Sequence, residues 1–186
     1  MRKIIVLMLS LLALTACASR QAERQDASQP APARTESNVS PEKDWEKDRN
    51  QIVGQTIYVP IYSHIYIRDK SRVINLAATL SIRNTDAQNP IRITSARYYG
   101  TDGAQVREYV NEPLRLAPMA STDFVVAEDD TSGGSGANFI VEWSAGAVVT
   151  EPVVEAVMIS TASQLGISFV SAGRVIQSRA HRSAGK

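Results

Sequence analysis

The sequence predicts an all-β fold for residues 51–176, an antiparallel immunoglobulin-like β-sandwich of seven to eight strands. Three observations lead there. Between about Ile52 and Ile176, apolar side chains recur at every second position, the spacing that lines one face of a strand. Clusters of Gly, Pro, Asn and Asp punctuate these runs at fairly regular intervals, as turns do. No stretch of useful length carries the 3.6-residue period of an amphipathic helix. Many short strands joined by turns fold as a sandwich, with a small barrel as the alternative.

Residues 1–16 read as an export signal. Arg2 and Lys3 precede an apolar run from Ile4 to Leu14, shorter than the roughly 20 residues that span a bilayer and ending in small residues, as secretory signals do. Leu14-Thr15-Ala16-Cys17 resembles the bacterial lipoprotein signal. That resemblance implies cleavage before Cys17 and acylation of its sulfur and new amine, a palmitate-type anchor in which each buried CH₂ contributes about 0.8 kcal/mol. An ordinary signal peptide with a chance cysteine is the other reading. Ala18, rather than aspartate, follows the cysteine. In a host with two membranes this resembles sorting to the outer membrane, facing the periplasm; in a host with one, it implies the cell surface.

Cys17 is the only cysteine, so its acylation leaves no thiol for a disulfide, for redox chemistry or for a cysteine zinc site. Without Arg2 and Lys3, 18 basic residues stand against 19 acidic ones. A nearly neutral chain with no basic stripe argues against nucleic acid as a partner.

Residues 17–50 read as a lipidated, flexible linker. Charged residues, Gln, Ser, Ala and Pro dominate, and Val39 and Trp45 are the only large apolar side chains, too few to offset the entropy of ordering. The 33 residues from Ala18 to Asn50 would reach roughly 30 Å. Residues 177–186 carry Arg179, Arg182 and Lys186 without an acid and read as a disordered basic tail.

Within the domain, Thr56 to Tyr62 sets Ile57, Val59 and Ile61 on one face, and Pro60 marks an edge or bulge. Ser63 to Arg72 is expected to be an exposed connection. Val73 to Asn84 is the clearest strand, with Ile74, Leu76, Ala78, Leu80 and Ile82 inward. Thr85 to Pro90 is turn chemistry, Ile91 to Tyr99 a strand, and Gly100 to Gly103 a hairpin turn returning through Gln105 to Tyr109. Two prolines make Glu112 to Pro118 a crossing segment. Thr122 to Ala127 is a strand with Phe124 and Val126 inward, and Glu128 to Gly136 a long polar loop. Ala137 to Ser144 carries Phe139, Val141 and Trp143 on one face. Ala145-Gly146 is expected to turn it so that Val153 to Ser160 pairs back, and Gly166 to Ser171 closes the sheet. The core is then mainly Ile, Leu and Val, with Trp143 and Phe139 as its large pieces.

Tyr58-Val59-Pro60-Ile61-Tyr62-Ser63, Leu80-Ser81-Ile82-Arg83-Asn84, Gly133 to Phe139, Glu155-Ala156-Val157-Met158 and Gly166-Ile167-Ser168-Phe169 resemble an uncharacterised bacterial family, domain of unknown function 3124. The resemblance covers nearly all of the domain and implies no activity, cofactor or catalytic residue.

Two places stand out as candidate sites. In the loop Glu128 to Asn138, the carboxylates of Glu128, Asp129 and Asp130 with flexible carbonyls are hard oxygen donors of the kind calcium takes, though without EF-hand spacing or a P-loop ending. Its glycines would take positive φ or let a partner's backbone approach, with Asp129, Asp130 and Asn138 as contacts. The second place is aromatic. Tyr58, Tyr62 and Tyr66 share one parity around His64, and rings with polar tips suit sugar or peptide contacts; they would equally cover an outer sheet face by cross-strand pairing. His64 has only His181 as another histidine, which disfavours a metal site.

No Gly-x-Ser-x-Gly and no His-Glu-x-x-His is present. Glu108, Glu112, Glu128 and Glu142 are the candidates for a glycosidase pair, and spacing selects none of them. Glu155, set among valines, is expected to pair with Arg83 or Arg174. The reading is a non-enzymatic envelope lipoprotein without a cofactor, held to the membrane through Cys17. It would bind an envelope protein or glycan, or a second copy of itself. An envelope-glycan hydrolase and a calcium-stabilised structural domain are the alternatives.

Overall fold

The computed structural model describes residues 39–41, 52–161 and 166–180. These carry thirteen strands: β1 (Val39–Pro41), β2 (Val53–Pro60), β3 (His64–Ile67), β4 (Asp69–Asn75), β5 (Ala77–Arg83), β6 (Ile91–Tyr99), β7 (Gln105–Glu108), β8 (Leu114–Leu116), β9 (Ser121–Val126), β10 (Asn138–Ala145), β11 (Val153–Ser160), β12 (Ile167–Ala172) and β13 (Arg174–Ala180). The only helical piece among the described residues is a 3₁₀ turn at Gly134–Gly136, so none is long and apolar enough to cross a membrane.

The strands form two antiparallel sheets and a hairpin. The larger sheet runs β1-β8-β6-β10-β2-β13 with β7 laid along β6, the smaller β12-β11-β5-β9, and β3 pairs with β4. The all-β sandwich is therefore observed, with more and shorter strands than seven to eight. Its single core interleaves both sheets: Ile57, Val59, Ile91, Ile93, Phe139, Val141 and Trp143 from the larger, Ala78, Leu80, Ile82, Val126, Val154, Ala156 and Met158 from the smaller. Each set alternates with polar or half-exposed neighbours, as the pleat requires.

Four expectations are corrected. Ser63 to Arg72 is not a plain connection but holds the β3–β4 hairpin, turned at Arg68 with φ 67°. Most of β4 is exposed, so burial never imposed a readable alternation. The strand expected over Val73 to Asn84 breaks at Leu76, whose amide donates to Ser63 O at 2.9 Å. Inward parity persists across the break while the ladder partner changes from β3 to β11 and β9.

The third correction adds a large piece, Tyr98 of β6, to the core expected around Trp143 and Phe139. Ile91 and Ile93 face inward, and so do Ala96 and Tyr98. A bulge against β10, between the pairs Glu142–Ser95 and Trp143–Ile93, inserts one residue and flips the parity. Tyr98 thereby becomes one of the largest buried side chains. Fourth, β11 does not pair back on β10. β10 lies between β6 and β2, whereas β11 lies between β5 and β12, so Ala145-Gly146 begins a crossing between sheets.

The Asp86 carboxylate fixes that crossing. It accepts from the amides of Gln88 at 2.9 Å, Asn89 at 2.8 Å and Thr150 at 3.0 Å. Those amides, Gln88 first, hold its pKa down at about 2.

At the margins, β1 lies within residues 17–50 and pairs with β8, while β13 runs on through Gln177 to Ala180 along β2. Cys17, Trp45 and His181 to Lys186 fall outside the described residues.

Candidate functional site

The glycine-rich loop and the corner that follows β2 meet at one end of the sandwich. Past Pro60 the chain leaves the sheet, and its amides bond the loop directly: Ile61 N–H to Ala137 O at 3.0 Å and Ser63 N–H to Gly134 O at 3.0 Å. From the other side Thr101, in the β6–β7 turn, grips the same loop. Its amide and its hydroxyl both donate to Gly133 O at 2.8 Å, and its Oγ1 accepts from Gly136 N–H at 2.8 Å. Beneath these contacts the Tyr98 hydroxyl lies 2.9 Å from Ser63 Oγ, both buried.

The glycines answer to this packing. A Cβ on Gly133 would collide with the Tyr98 phenol, and Gly134, with φ 73°, carries the positive φ expected of the loop. The backbone that approaches closely is the protein's own.

Its carboxylates are held individually. Asp130 pairs with Arg107 at 3.1 Å and accepts from the hydroxyl and amide of Ser132. The Ser132 hydroxyl foremost, then its amide and Arg107, keep the Asp130 carboxyl below the usual range against the opposing pull of burial. Glu128 accepts from Ser160 Oγ at 3.0 Å, Asp129 is exposed, and Asn138 heads β10 opposite Pro60 and Tyr99. Among the described residues no three His, Cys, Asp or Glu side chains gather where they could hold a metal ion.

The tyrosines do not form one face. Tyr58 is half-buried on the larger sheet, opposite Ile140 and Arg174. Tyr62, beyond the corner, sets its ring edge-on to Phe169 at 5.8 Å. His64 and Tyr66 lie on the hairpin with ring centroids 5.4 Å apart. Parity counted through Ile61 to Ser63 fails because the chain leaves the sheet there. Tyr109, from the neighbouring hairpin, packs on Phe124 and Phe139 at 5.4 and 5.6 Å.

Three of the four glutamates considered for catalysis have structural partners. Glu108 accepts from Ala96 N–H at 2.9 Å, Ser95 Oγ at 3.1 Å and Val110 N–H at 3.2 Å. Glu142 pairs with Arg97 and with Arg179 at 3.7 Å, and Glu128 bonds Ser160. Glu112 is exposed. Glu155 pairs with Arg83 at 3.2 Å, one of its two expected partners.

A second surface was invisible to site-directed reading. On the outer side of the smaller sheet, Val170, Val157, Thr79 and Val125 form one row across all four strands, with Ile159 and Ala77 in the next. Val125, Val153, Ile159 and Val170 are each 43–57% exposed. The alternation in β11 hinted at it, because Val153, Val157 and Ile159 occupy outward positions that polar residues normally take.

A family model described as "Protein of unknown function (DUF3124)" matches residues 54–176. The chain is also similar to a solved structure titled "Crystal Structure of Thermotoga maritima 1070", at 15% identity and a TM-score of 0.39, covering 64% of this chain and 92% of that one. No curated protein matches.

Proposed function

The chain belongs to the DUF3124 family of proteins of unknown function, and from that premise we propose that it is a lipid-anchored envelope protein whose sandwich binds a protein partner. The anchor is the acylated Cys17, on the strength of the basic start, short apolar run and Leu14-Thr15-Ala16-Cys17. With alanine next, the outer membrane facing the periplasm is its address in a two-membrane host.

The observation that carries the binding role is the apolar outer face of the smaller sheet. Exposed contiguous apolar surface on a soluble domain marks contact with a macromolecule. The central rows of this face present Val125, Val157, Val170, Ile159, Ala77 and Thr79 and no ring, bordered on the same face by Ser81, Asp123 and the Arg83–Glu155 ion pair. A glycan is gripped by stacked rings, so an apolar protein surface with a polar rim is the matching chemistry. The outer edges of β9 and β12 flank the face without a ladder partner among the described residues and extend it for strand addition.

Cross-linking in intact envelopes tests this with the full-length chain, in parallel with Val157→Lys and Val170→Lys. Expected is a discrete protein adduct that both variants lose while keeping the wild-type melting temperature, along with metabolic labelling by palmitate that Cys17→Ser abolishes. Identical adducts in wild type and variants, or a chain that stays monomeric and uncross-linked, would overturn the binding role. Recovery of envelope glycan instead of protein would move it to the aromatic corner.

A further inference from the structure

At the end of the sandwich remote from the glycine loop, the loops 84–90, 117–120 and 146–152 gather on Asp86. Met119 N–H donates to Asp86 O at 3.1 Å, and Thr150 N–H to its carboxylate at 3.0 Å. Two of these loops carry the most exposed large apolar side chains among the described residues, Val148 at 78% and Met119 at 67%. Glu151, bonded by Gln55 at 2.6 Å, is the single exposed charge on the three. The turns at the other end, by contrast, carry Asp102, Asp129 and Asp130. Met119 is also held at a cost. Ala120 N–H closes a turn on Ala117 O at 3.1 Å, with Pro118 and Met119 in the middle and Met119 at φ 60°. That place in the turn favours glycine, and a larger residue kept there against strain points to a use for its side chain.

The chain enters the sandwich from this end as well. Val39 is opposite Leu116, three positions before Met119. Residues 18–38 separate Val39 from Cys17, and a coil of that length would span roughly 25 Å. Ala180, opposite Val53, lies at the same end, and the sequence beyond it adds Arg182 and Lys186 without an acid, charges that anionic lipid attracts. We propose that this end of the sandwich docks on the bilayer surface, with Met119 and Val148 entering the boundary between headgroups and acyl chains. Single apolar side chains on separate loop tips find no flat patch to share with a protein, whereas a fluid interface closes around each of them. The direction of approach rests on the anchoring of Cys17 proposed above. Docked in this way, the strands stand upright and the apolar face of the smaller sheet opens sideways to its partner.

The test uses the mature full-length chain, with the Cys17 thiol coupled to maleimide-lipid vesicles of phosphatidylethanolamine and phosphatidylglycerol. Coupling tethers the domain whether or not the cell acylates it, so this test and palmitate labelling fail independently. Met119 is its own reporter: oxidation by water-soluble chloramine-T follows exposure and is read by mass spectrometry, with the buried Met158 as control. Expected is oxidation of Met119 roughly five- to tenfold slower on vesicles than in solution, with Val148→Asp restoring most of the solution rate. Met119→Gly relieves the turn and should melt no lower than the wild type; a lower melting temperature would assign Met119 to the fold and count against the proposal. Equal oxidation rates on vesicles and in solution, or protection that survives Val148→Asp, would overturn it. So would protection found in whole envelopes but not on pure lipid, which would give this end a protein partner instead.

Discussion

A methyl group at position 133 would overlap the Tyr98 phenol and lie 2.7 Å from Ala137 Cβ, although the backbone there has φ −78° and accepts any residue. Gly133→Ala should therefore destabilise the domain by about 1–3 kcal/mol, the range for overpacking, read from the urea midpoint. Tyr98→Phe removes the hydroxyl nearest the new methyl, so the double variant should fall short of the sum of the singles. Full additivity would show that the loop relaxes instead. Asp86 makes a prediction in pH. Its native pKa of about 2 lies below that of an ordinary aspartate, so the folded state favours the carboxylate. That stabilisation is complete above pH 4 and is lost as pH falls towards 2. Asp86→Asn places an amide where the Thr150 N–H needs an acceptor. The variant should melt lower at neutral pH and show a shallower decline between pH 4 and 2; parallel melting curves over that range would refute the assignment.

Among the elements, β6 depends most on a side chain from elsewhere. The bulge that turns Tyr98 inward leaves Ala96 N–H and Ser95 Oγ beside it, and the Glu108 carboxylate from β7 takes both, together with Val110 N–H. Glu108 thus holds the irregular stretch in register. Glu108→Ala should cost about 1–3 kcal/mol, the penalty for orphaned donors, and Glu108→Gln less, since an amide oxygen still accepts. Hydrogen exchange at Ala96 is the local readout: faster exchange in the alanine variant is expected, and unchanged exchange would mean that another acceptor replaces the carboxylate. β3 and β4 show the opposite case, a hairpin attached by the Leu76–Ser63 hydrogen bond and by partial burial of Ile65 and Ile74.

Across the whole molecule, the sequence made plain which faces point inward but not which strands are neighbours. Ile57 and Val59, Ala78 through Ile82, and Phe139 through Trp143 are buried as their alternation required. Period two reports a face, however, and is silent about the ladder partner; hence β10 and β11 looked like a hairpin while belonging to different sheets. Tyr98 was absent from the core expected around Phe139 and Trp143, because a bulge leaves no mark in composition. The glycine run was legible as unusual, but its purpose depends on a tyrosine 35 residues earlier.

The strand order has a further consequence in time. β2 is the first long strand of the domain, yet its neighbours are β10 and β13, which begin at Asn138 and Arg174. A chain emerging from its N-terminus therefore carries an unpaired apolar strand through most of its synthesis, and the larger sheet closes only after the last strand arrives. Such non-local pairing makes folding slow.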